Sequence, residues 1–329
     1  MSTIHDVAQE AEVSAMTVSR YFNSPEKLRP ETQSKVEEAV RSEQYVPNAA
    51  ARSLVQGDTR TLSLVLADIT NPFFTKISRA VEDSVQAQGY TLMLGNTDET
   101  IEKERRYLKA LISRRVDGVI LSPSKNTAES IDLLRQHDIP VVLIDRRVSD
   151  ADVDTVVTDS FGAGRHLTNH LIERGYQDIL FVGGKKGVST LEERLDGYHT
   201  AMQEADLPPQ YHLGEYSQRS GEEIVDRVLQ EQKTPEAFIA ANNFVAIGAI
   251  RAIRQQGLGI PGDVGLACFG DLDIASTLDP FLTVIQHPAY ELGLKAAEML
   301  VERIEGHRGP PRNVELPVEL TARKSTSPL

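Results

Sequence analysis

Polar, charged and aromatic residues follow most of the apolar segments between residues 61 and 271. Amides, carboxylates and cations hydrogen-bond hydroxyl and anionic groups, and aromatic rings stack on apolar faces, so together they favour a small polyhydroxylated or anionic ligand. Taken singly, most of them are better explained as caps and turns. As a set they predict a ligand site, with the candidates Asn71, Phe73, Phe74, Asn96, Ser122, Asp145, Arg146, Asp159, Lys185, Asn242, Phe269 and Asp271.

The sequence contains no motif that is typical of catalysis or of a bound metal. GGKKGVS at 183–189 has the wrong spacing for a phosphate loop, and GxSxG, HExxH and GxGxxG are absent. His166 and His170 fall on one face of a predicted helix but have no third ligand nearby. The single cysteine, Cys268, excludes an intramolecular disulfide and a Cys-based zinc site. We therefore predict a protein that is not an enzyme and uses no metal or cofactor.

From residue 61 onward, apolar segments alternate with amphipathic ones. The predicted strands are TLSLVLA, YTLML, DGVIL, PVVLI, TVVTD, DILFVG, AFIAAN and DVGLACFG. The predicted helices are 73–88, 99–113, 161–174, 191–205, 243–256 and 289–305. This alternation is typical of parallel sheets covered by helices, which bind ligands at the carboxyl ends of their strands. Since the strands are too many for one sheet, we predict an α/β core of two doubly wound halves with a cleft between them.

Three short helices are predicted before this core, over 4–11, 15–22 and 32–44. Thr3 and Ser14 are the predicted N-caps of the first two, and the short break between them is typical of a helix-turn-helix. The next segment, PNAAARSLVQG at 47–57, is too short and too apolar to be a stable isolated helix. We predict that it is ordered only when something packs on it.

The charge of the chain argues against nucleic acid as a partner. Net charge is −13, and the first 60 residues hold seven cations against nine acidic residues. Only the placement of Arg20, Lys27 and Arg29 around the second helix favours DNA. The N-terminal residues lack the cationic start and apolar core of a secretory signal, so we expect a cytoplasmic protein that does not bind a membrane.

Several longer segments carry signatures: TIHDVAQEAEVSAMTVSRYFN, YVPNAAARSL, ITNPFF, RRVDGVIL, IPVVLIDR, LEERLDGY and NNFVAIGAIRA. In these segments the chain resembles the LacI/GalR family of bacterial transcriptional repressors. The resemblance implies a helix-turn-helix headpiece at 1–46, a hinge helix and linker at 47–60, and a periplasmic-binding-protein-like core of type I at 61–329. It implies core subdomains of about 61–159 plus 289–314 and about 162–286 plus 318–329, with crossings near 159–162, 286–290 and 314–320.

The resemblance also implies how DNA is bound. The second helix would enter the major groove with Ala15 and Met16 as the variable base-reading positions. Leu54 side chains from two hinge helices would insert into the minor groove and kink the duplex. A homodimer and a pseudo-palindromic operator are therefore expected. The implied DNA-binding residues are Thr3, Ser14, Ala15, Met16, Thr17, Ser19, Arg20, Asn23, Arg29, Thr32, Asn48, Ala51 and Leu54.

One departure from the family pattern lies in the headpiece. Glu12 stands where most members have glycine, in the turn between the first two helices. That turn requires a left-handed residue, which costs a non-glycine residue about 1–2 kcal/mol. We therefore expect Glu12 to reduce the stability of the headpiece or its affinity for DNA.

The other departures lie in the core, where Gly270 replaces a carboxylate that grips sugar hydroxyls in many relatives and Asn243 replaces an aspartate. Thr190, Arg194 and the lysines of GGKKG remain as effector-site candidates. A less acidic cleft favours an anionic effector such as a sugar acid. A neutral sugar, a purine-type corepressor, and a sugar receptor without DNA function stay as alternatives.

Overall fold

The computed structural model describes residues 2–46, 58–149, 151–231, 234–272 and 274–327. The chain forms two compact units, Met1–Thr59 and Arg60–Leu329. The predicted hinge segment at 47–57, with Asn48, Ala51 and Leu54, lies outside the described residues. None of the helices that the structure describes is long and apolar enough to cross a membrane.

The N-terminal unit contains the three predicted helices, α1 (Ile4–Glu10), α2 (Ala15–Asn23) and α3 (Pro30–Ser42). Both predicted N-caps are confirmed, since Thr3 forms a capping box with Asp6 and the Ser14 side chain accepts from the backbone N–H of Thr17. The helices enclose a small apolar core of Val7, Ala8, Ala11, Val18, Val36 and Ala39.

Residues 61–327 form two six-stranded sheets. The strands of the first are β1 (Thr61–Leu66), β2 (Thr91–Asn96), β3 (Gly118–Leu121), β4 (Val141–Ile144), β5 (Asp154–Thr158) and β11 (Asn313–Leu316). They are all parallel, in the order β11-β5-β4-β3-β1-β2. The strands of the second are β6 (Ile179–Val182), β7 (Gln210–His212), β8 (Ala237–Ala240), β9 (Gly265–Phe269), β10 (Thr283–Gln286) and β12 (Glu319–Thr321). Their order is β12-β10-β9-β8-β6-β7, and only the β12–β10 pair is antiparallel.

Helices cover both sheets, as expected for parallel strands with apolar faces. With the first sheet they form what we call the first subdomain: α4 (Pro72–Gln86), α5 (Ile101–Arg114), α6 (Glu129–Arg135) and α12 (Ala289–Ile304). With the second they form the second subdomain: α7 (Ser160–Glu173), α8 (Ser189–Glu204), α9 (Gln218–Glu231), α10 (Asn243–Gln255) and α11 (Ile274–Leu278). The predicted α/β architecture with two doubly wound halves is confirmed.

The chain passes between the subdomains three times, after β5, after β10 and after β11. Each subdomain has apolar clusters on the two faces of its sheet. Because all strands except β12 run in one direction within their sheets, the loops that follow them meet at one edge of each sheet. Those two edges border the cavity described next.

Candidate functional site

The exposed end of α2 is the candidate DNA-binding surface. Met16 is 71% exposed at the start of this helix, so its side chain is not part of the apolar core. Thr3, Ser14, Arg20, Asn23 and Arg29 are also exposed, while Ala15, Thr17, Ser19 and Thr32 are half-buried. This pattern leaves one side of α2 open to a duplex, as the sequence predicts for a recognition helix.

The turn between α1 and α2 has the left-handed backbone that the sequence predicts. Glu12 has a φ of +53°. Its N–H donates to the carbonyl of Gln9 at 3.2 Å, and the N–H of Val13 donates to the carbonyl of Ala8 at 2.9 Å. These two bonds form a Schellman motif, whose left-handed position is usually glycine. Glu12 therefore bears a backbone cost in an exposed turn.

A cavity of about 420 Å³ lies between the two subdomains of the core, within the usual range of small-molecule sites. Ten of the predicted effector-site residues line it. They are Asn71, Phe73, Phe74, Asp145, Arg146, Thr190, Arg194, Asn242, Phe269 and Asp271. Their convergence comes from the parallel strands, because most of them lie in loops at the carboxyl ends of strands.

Four predicted residues lie outside the wall of this cavity and have other surroundings. Asn96 donates to Asp98, and Asp159 caps α7 through the N–H of Gly162 at 2.7 Å. Lys185 donates to the carbonyl oxygen of Glu99 at 2.9 Å, and Ser122 is fully buried. Asn96 and Asp159 therefore form local hydrogen bonds of the kind that polar residues often make at the ends of strands.

The lining residues that were not among the predicted site residues include Glu99, Tyr216, Gln286, His287 and Arg323. Glu99 follows β2 closely, so its position after a predicted strand was an available signal. The others lie at the end of β10 or after β7, β10 and β12, three strands that the sequence pattern did not predict. The crossing expected near 286–290 includes Gln286 and His287, but the sequence pattern gave no signal for Tyr216 and Arg323.

Arg194 differs from the other arginines of this cavity in the partners of its guanidinium group. Its guanidinium lies 4.8 Å from the centre of the Phe269 ring, and its Nη1 donates to the carbonyl oxygen of Ala241 at 3.0 Å. Its Nε is buried without a hydrogen-bond partner in the described part of the chain. Within those same residues, no carboxylate lies within ion-pair distance of it. Arg194 therefore presents to a ligand a positive charge that no carboxylate of the described residues pairs with.

His287 lies beside Arg194, with Nε2 at 3.4 Å from Nη2. Burial and the charge of Arg194 lower the pKa of His287 to about 3. The imidazole is therefore neutral at physiological pH and adds no charge. Of these two neighbouring side chains, Arg194 is the one that carries a positive charge.

Close packing of α7 against α8 fixes the position of Arg194. A Cβ on Gly164 would lie 2.2 Å from the carbonyl oxygen of Arg194, and one on Gly197 would lie 2.1 Å from the carbonyl oxygen of Phe161. The two helices can approach this closely only because both positions are glycine. The side chain of Arg194 is therefore held by helix packing as well as by its own contacts.

Two other cavity arginines are paired with carboxylates. Arg146 makes two bonds of 2.7 Å to the carboxylate of Glu99. Arg323 makes bonds of 3.0 Å and 2.7 Å to Asp271. Burial alone would raise the pKa of Asp271, but the bonds from Arg323 and Ser276 lower it. Asp271 lines the cavity, yet its carboxylate is engaged within the protein.

Asp145 is a buried carboxylate with a left-handed backbone, at a φ of +69°. Burial raises its pKa even though Arg146 and Arg194 act in the opposite direction. Its nearest ion-pair contact is the Nε of Arg146, at 3.5 Å. A non-glycine residue in this backbone region at a cleft is typical of a ligand site.

Asn71 and Asn243 join the two subdomains across the cavity. Their side-chain amides exchange two hydrogen bonds, of 3.0 Å and 3.2 Å. Asn71 also caps α4, and Asn242 caps α10, so the amide pair connects the starts of two helices. Asn243 was noted in the sequence only as a departure from the family pattern.

Two protein-family models match the chain. Residues 3–48 match the bacterial regulatory proteins of the lacI family, and residues 59–324 match the periplasmic binding proteins and sugar-binding domain of the LacI family. The second match alone covers more than half of the chain. The two matches together extend over both units.

Individual relatives match over nearly the full length of both chains. The ribose operon repressor of Halalkalibacterium halodurans is 34% identical over 326 residues, covering 99% of this chain and 97% of the relative. The transcriptional repressor PurR of Aliivibrio salmonicida is 34% identical and covers 100% of both chains. Among solved structures, the Lac repressor dimer bound to operator and the anti-inducer ONPF superposes with a TM-score of 0.88 at 26% identity, covering 99% of each chain.

Proposed function

This chain belongs to the LacI family of bacterial regulatory proteins, and we propose that it acts as an effector-controlled repressor whose effector is a sugar acid. It is a DNA-binding transcriptional regulator, not an enzyme, as the sequence analysis predicts. The proposal beyond this family function concerns the operator, the assembly and the effector.

The roles that we propose for the three segments of the chain follow the sequence prediction. Residues 1–46 bind the major groove through α2, residues 47–60 bind the minor groove, and residues 61–329 bind the effector and a second copy of the chain. Asn48, Ala51 and Leu54 keep their proposed roles in the hinge. A homodimer is supported by the solved relative, which is a dimer bound to operator. The operator is then a pseudo-palindromic duplex, and the working compartment is the cytoplasm.

One observation supports a sugar acid: the charge of Arg194 has no carboxylate partner among the described residues, while Arg146 and Arg323 have such partners. A carboxylate on the ligand would supply that partner at the buried guanidinium. Charge-assisted hydrogen bonds of this kind are stronger than those to neutral groups. The side-chain NH2 of Asn242, whose oxygen caps α10, remains for a hydroxyl group of such a ligand.

Effector binding would act on DNA through the cleft. A ligand that contacts both subdomains changes their relative orientation, and it shifts the population of DNA-competent molecules by its difference in affinity for the two states. We propose that only one of these states allows residues 47–57 to bind DNA. Whether the sugar acid releases or promotes DNA binding follows from which state it prefers.

Neutral sugars and purines are the competing effectors, since the relatives are a ribose operon repressor and a PurR. Full-length protein is tested on a duplex selected from a random-sequence library, with gluconate, ribose and hypoxanthine as probes. We expect gluconate to raise the melting temperature and to change DNA affinity. We expect Arg194→Ala to abolish this response and leave DNA affinity without effector within about twofold of wild type.

The control is Arg323→Lys, which changes another arginine of the cavity wall and keeps a cation next to Asp271. It should retain a gluconate response. A response to ribose or hypoxanthine alone would replace the sugar acid with that class. An unchanged gluconate response in Arg194→Ala would refute the role of Arg194.

A further inference from the structure

The carboxylate of Glu99 is hydrogen-bonded to the guanidinium group of Arg146 within the cavity. The two side chains are 15% and 5% exposed, and both carboxylate oxygens accept from Arg146 at 2.7 Å. This parallel geometry is the one with which arginine binds a carboxylate of a ligand. The carboxylate of Glu99 therefore sits where an anionic group of an effector would otherwise bind.

The backbone of Glu99 is fixed from both subdomains. Its φ is +60°, a left-handed value that a non-glycine residue adopts only when its surroundings hold it there. Its N–H donates to the carbonyl of Ala67 at 3.3 Å, and its carbonyl accepts from Lys185 of the second subdomain at 2.9 Å. The pair is thus built into the closed cleft, and the side chain of Glu99 is directed at Arg146 by a constrained backbone.

The pairing changes which charges the cavity offers to a ligand. Arg146 is neutralised by Glu99 and Arg323 by Asp271, which leaves Arg194 for the ligand. A second anionic group near Arg146 would meet the negative charge of Glu99 in a partly desolvated site, where like charges repel strongly. Selection by repulsion of the wrong ligand is a common source of specificity.

We propose that Glu99 is a specificity-determining residue, which withholds Arg146 from anionic groups and so limits the effector to one anionic group, bound at Arg194. The site then accepts sugar monocarboxylates and rejects sugar phosphates and dicarboxylates. This inference rests on the proposed function of the cavity as an effector site.

The test uses inorganic phosphate, which is small enough to reach Arg146 whatever the carbon skeleton of the effector. In full-length Glu99→Gln, we expect phosphate to bind at least tenfold more tightly than in wild type, because the two Nη groups of Arg146 have lost the carboxylate that occupied them, while Asp145 still lies near its Nε. The dissociation constant is obtained from the rise in melting temperature with phosphate concentration. This readout also covers a destabilised variant, since bound phosphate then restores the missing stability.

Two further variants decide between pairing and a general change of charge. Glu215→Gln removes the same charge near Lys185, from an exposed side chain that forms no ion pair with Arg146, and should change phosphate affinity less than twofold. Glu99→Gln with Arg146→Gln removes both members of the pair, and the gain should disappear. Equal gains in Glu99→Gln and Glu215→Gln, or a gain that persists in the double variant, would overturn the proposal.

Matched sugar acids then test the stated ligand class. Gluconate and glucarate share a six-carbon chain and differ in having one or two carboxylates. Wild type should prefer gluconate, and Glu99→Gln should reduce that preference at least tenfold. If wild type binds neither acid but Glu99→Gln still gains phosphate affinity, the sugar-acid function fails and the role of Glu99 stands. If wild type responds to gluconate and Glu99→Gln gains no phosphate affinity, the sugar-acid function stands and the proposed role of Glu99 fails.

Discussion

Glu12 shows that a single residue type can oppose the backbone it occupies. Its φ of +53° costs a side chain with a Cβ about 1–2 kcal/mol, while glycine there loses about 0.5–1 kcal/mol more chain entropy on folding. We therefore expect Glu12→Gly to stabilise the N-terminal unit by about 0.5–1 kcal/mol. Amide hydrogen exchange of residues 4–42 in the full-length protein measures this as slower exchange.

The control separates backbone strain from charge. Glu12→Ala removes the carboxylate but keeps the Cβ, so it should give no comparable slowing of exchange. Both variants should bind DNA at least as tightly as wild type, since each removes a negative charge next to the recognition helix. Equal exchange rates in the two variants would show that the left-handed backbone is not what limits the stability of this unit.

Asp145 gives the effector site a pH dependence whose sign identifies the ligand class. Burial raises its pKa, with Arg146, Arg194 and Glu99 as the charged groups that act on it. Protonation of Asp145 removes a negative charge near Arg194. Binding of a carboxylate should therefore strengthen as pH falls through the pKa of Asp145 and weaken as pH rises above it.

Titration calorimetry of gluconate between pH 5 and 8 measures this dependence. In Asp145→Asn the side chain is uncharged at every pH. The variant should therefore show a weaker dependence of gluconate affinity on pH and should bind gluconate more tightly than wild type at pH 8. A neutral sugar needs the ionised carboxylate as an acceptor, and ribose should show the opposite slope. Gluconate binding that weakens on acidification would contradict the charge arrangement described for the cavity.

At the level of elements, the glycine contact between α7 and α8 sets the position of Arg194. In Gly164→Ala the new Cβ would lie 2.2 Å from the carbonyl oxygen of Arg194, so α8 must shift. Overpacking of this kind typically costs about 1–3 kcal/mol. We expect a lower melting temperature and at least a tenfold weaker gluconate affinity, measured by calorimetry on the folded fraction.

Gly221→Ala is the control, because its new Cβ produces a similar clash at a different helix contact. Its Cβ would lie 2.4 Å from the carbonyl oxygen of Val245, at the contact of α9 with α10. It should lower the melting temperature similarly and weaken gluconate binding less than Gly164→Ala does. Equal losses of affinity in the two variants would mean that general loosening of the second subdomain, and not the position of Arg194, controls binding.

The predicted elements show where sequence patterns are sufficient. Strands such as β1, β3, β4 and β8 are almost entirely buried, so their apolar runs are unambiguous. β7, β11 and β12 are short and half-exposed at sheet edges, and their residues carry no clear period. The helix α9 was also missed, although its apolar positions recur at helical spacing.

The same limit explains which site residues were predictable. Asn71, Asp145 and Asn242 follow strands that the sequence reveals, and all three line the cavity. Gln286 ends β10, and His287 and Arg323 follow β10 and β12, two strands that it does not reveal. The ion pairs also depend on long-range contacts, such as the one between Asp271 and Arg323, which are 52 positions apart. No local pattern predicts that this carboxylate is already engaged.

At the scale of the whole molecule, the two compact units differ in how they use the chain. The N-terminal unit forms from one continuous segment with contacts between neighbouring helices. The core brings together segments that are far apart in sequence, because the chain passes between its subdomains three times. Proteins rich in such distant contacts fold more slowly than helical units.

The three passages of the chain between the subdomains have a consequence for synthesis on the ribosome. Residues 4–45 contain the apolar core of the three helices and Tyr45, which packs on it, so this unit can fold soon after it emerges. Both sheets of the core instead wait for residues 313–321, which supply β11 to one and β12 to the other. Arg323, which engages Asp271 in the cavity, follows directly. A nascent chain can therefore carry a folded DNA-binding unit before its effector site exists, and control by the effector begins only after translation has passed residue 323.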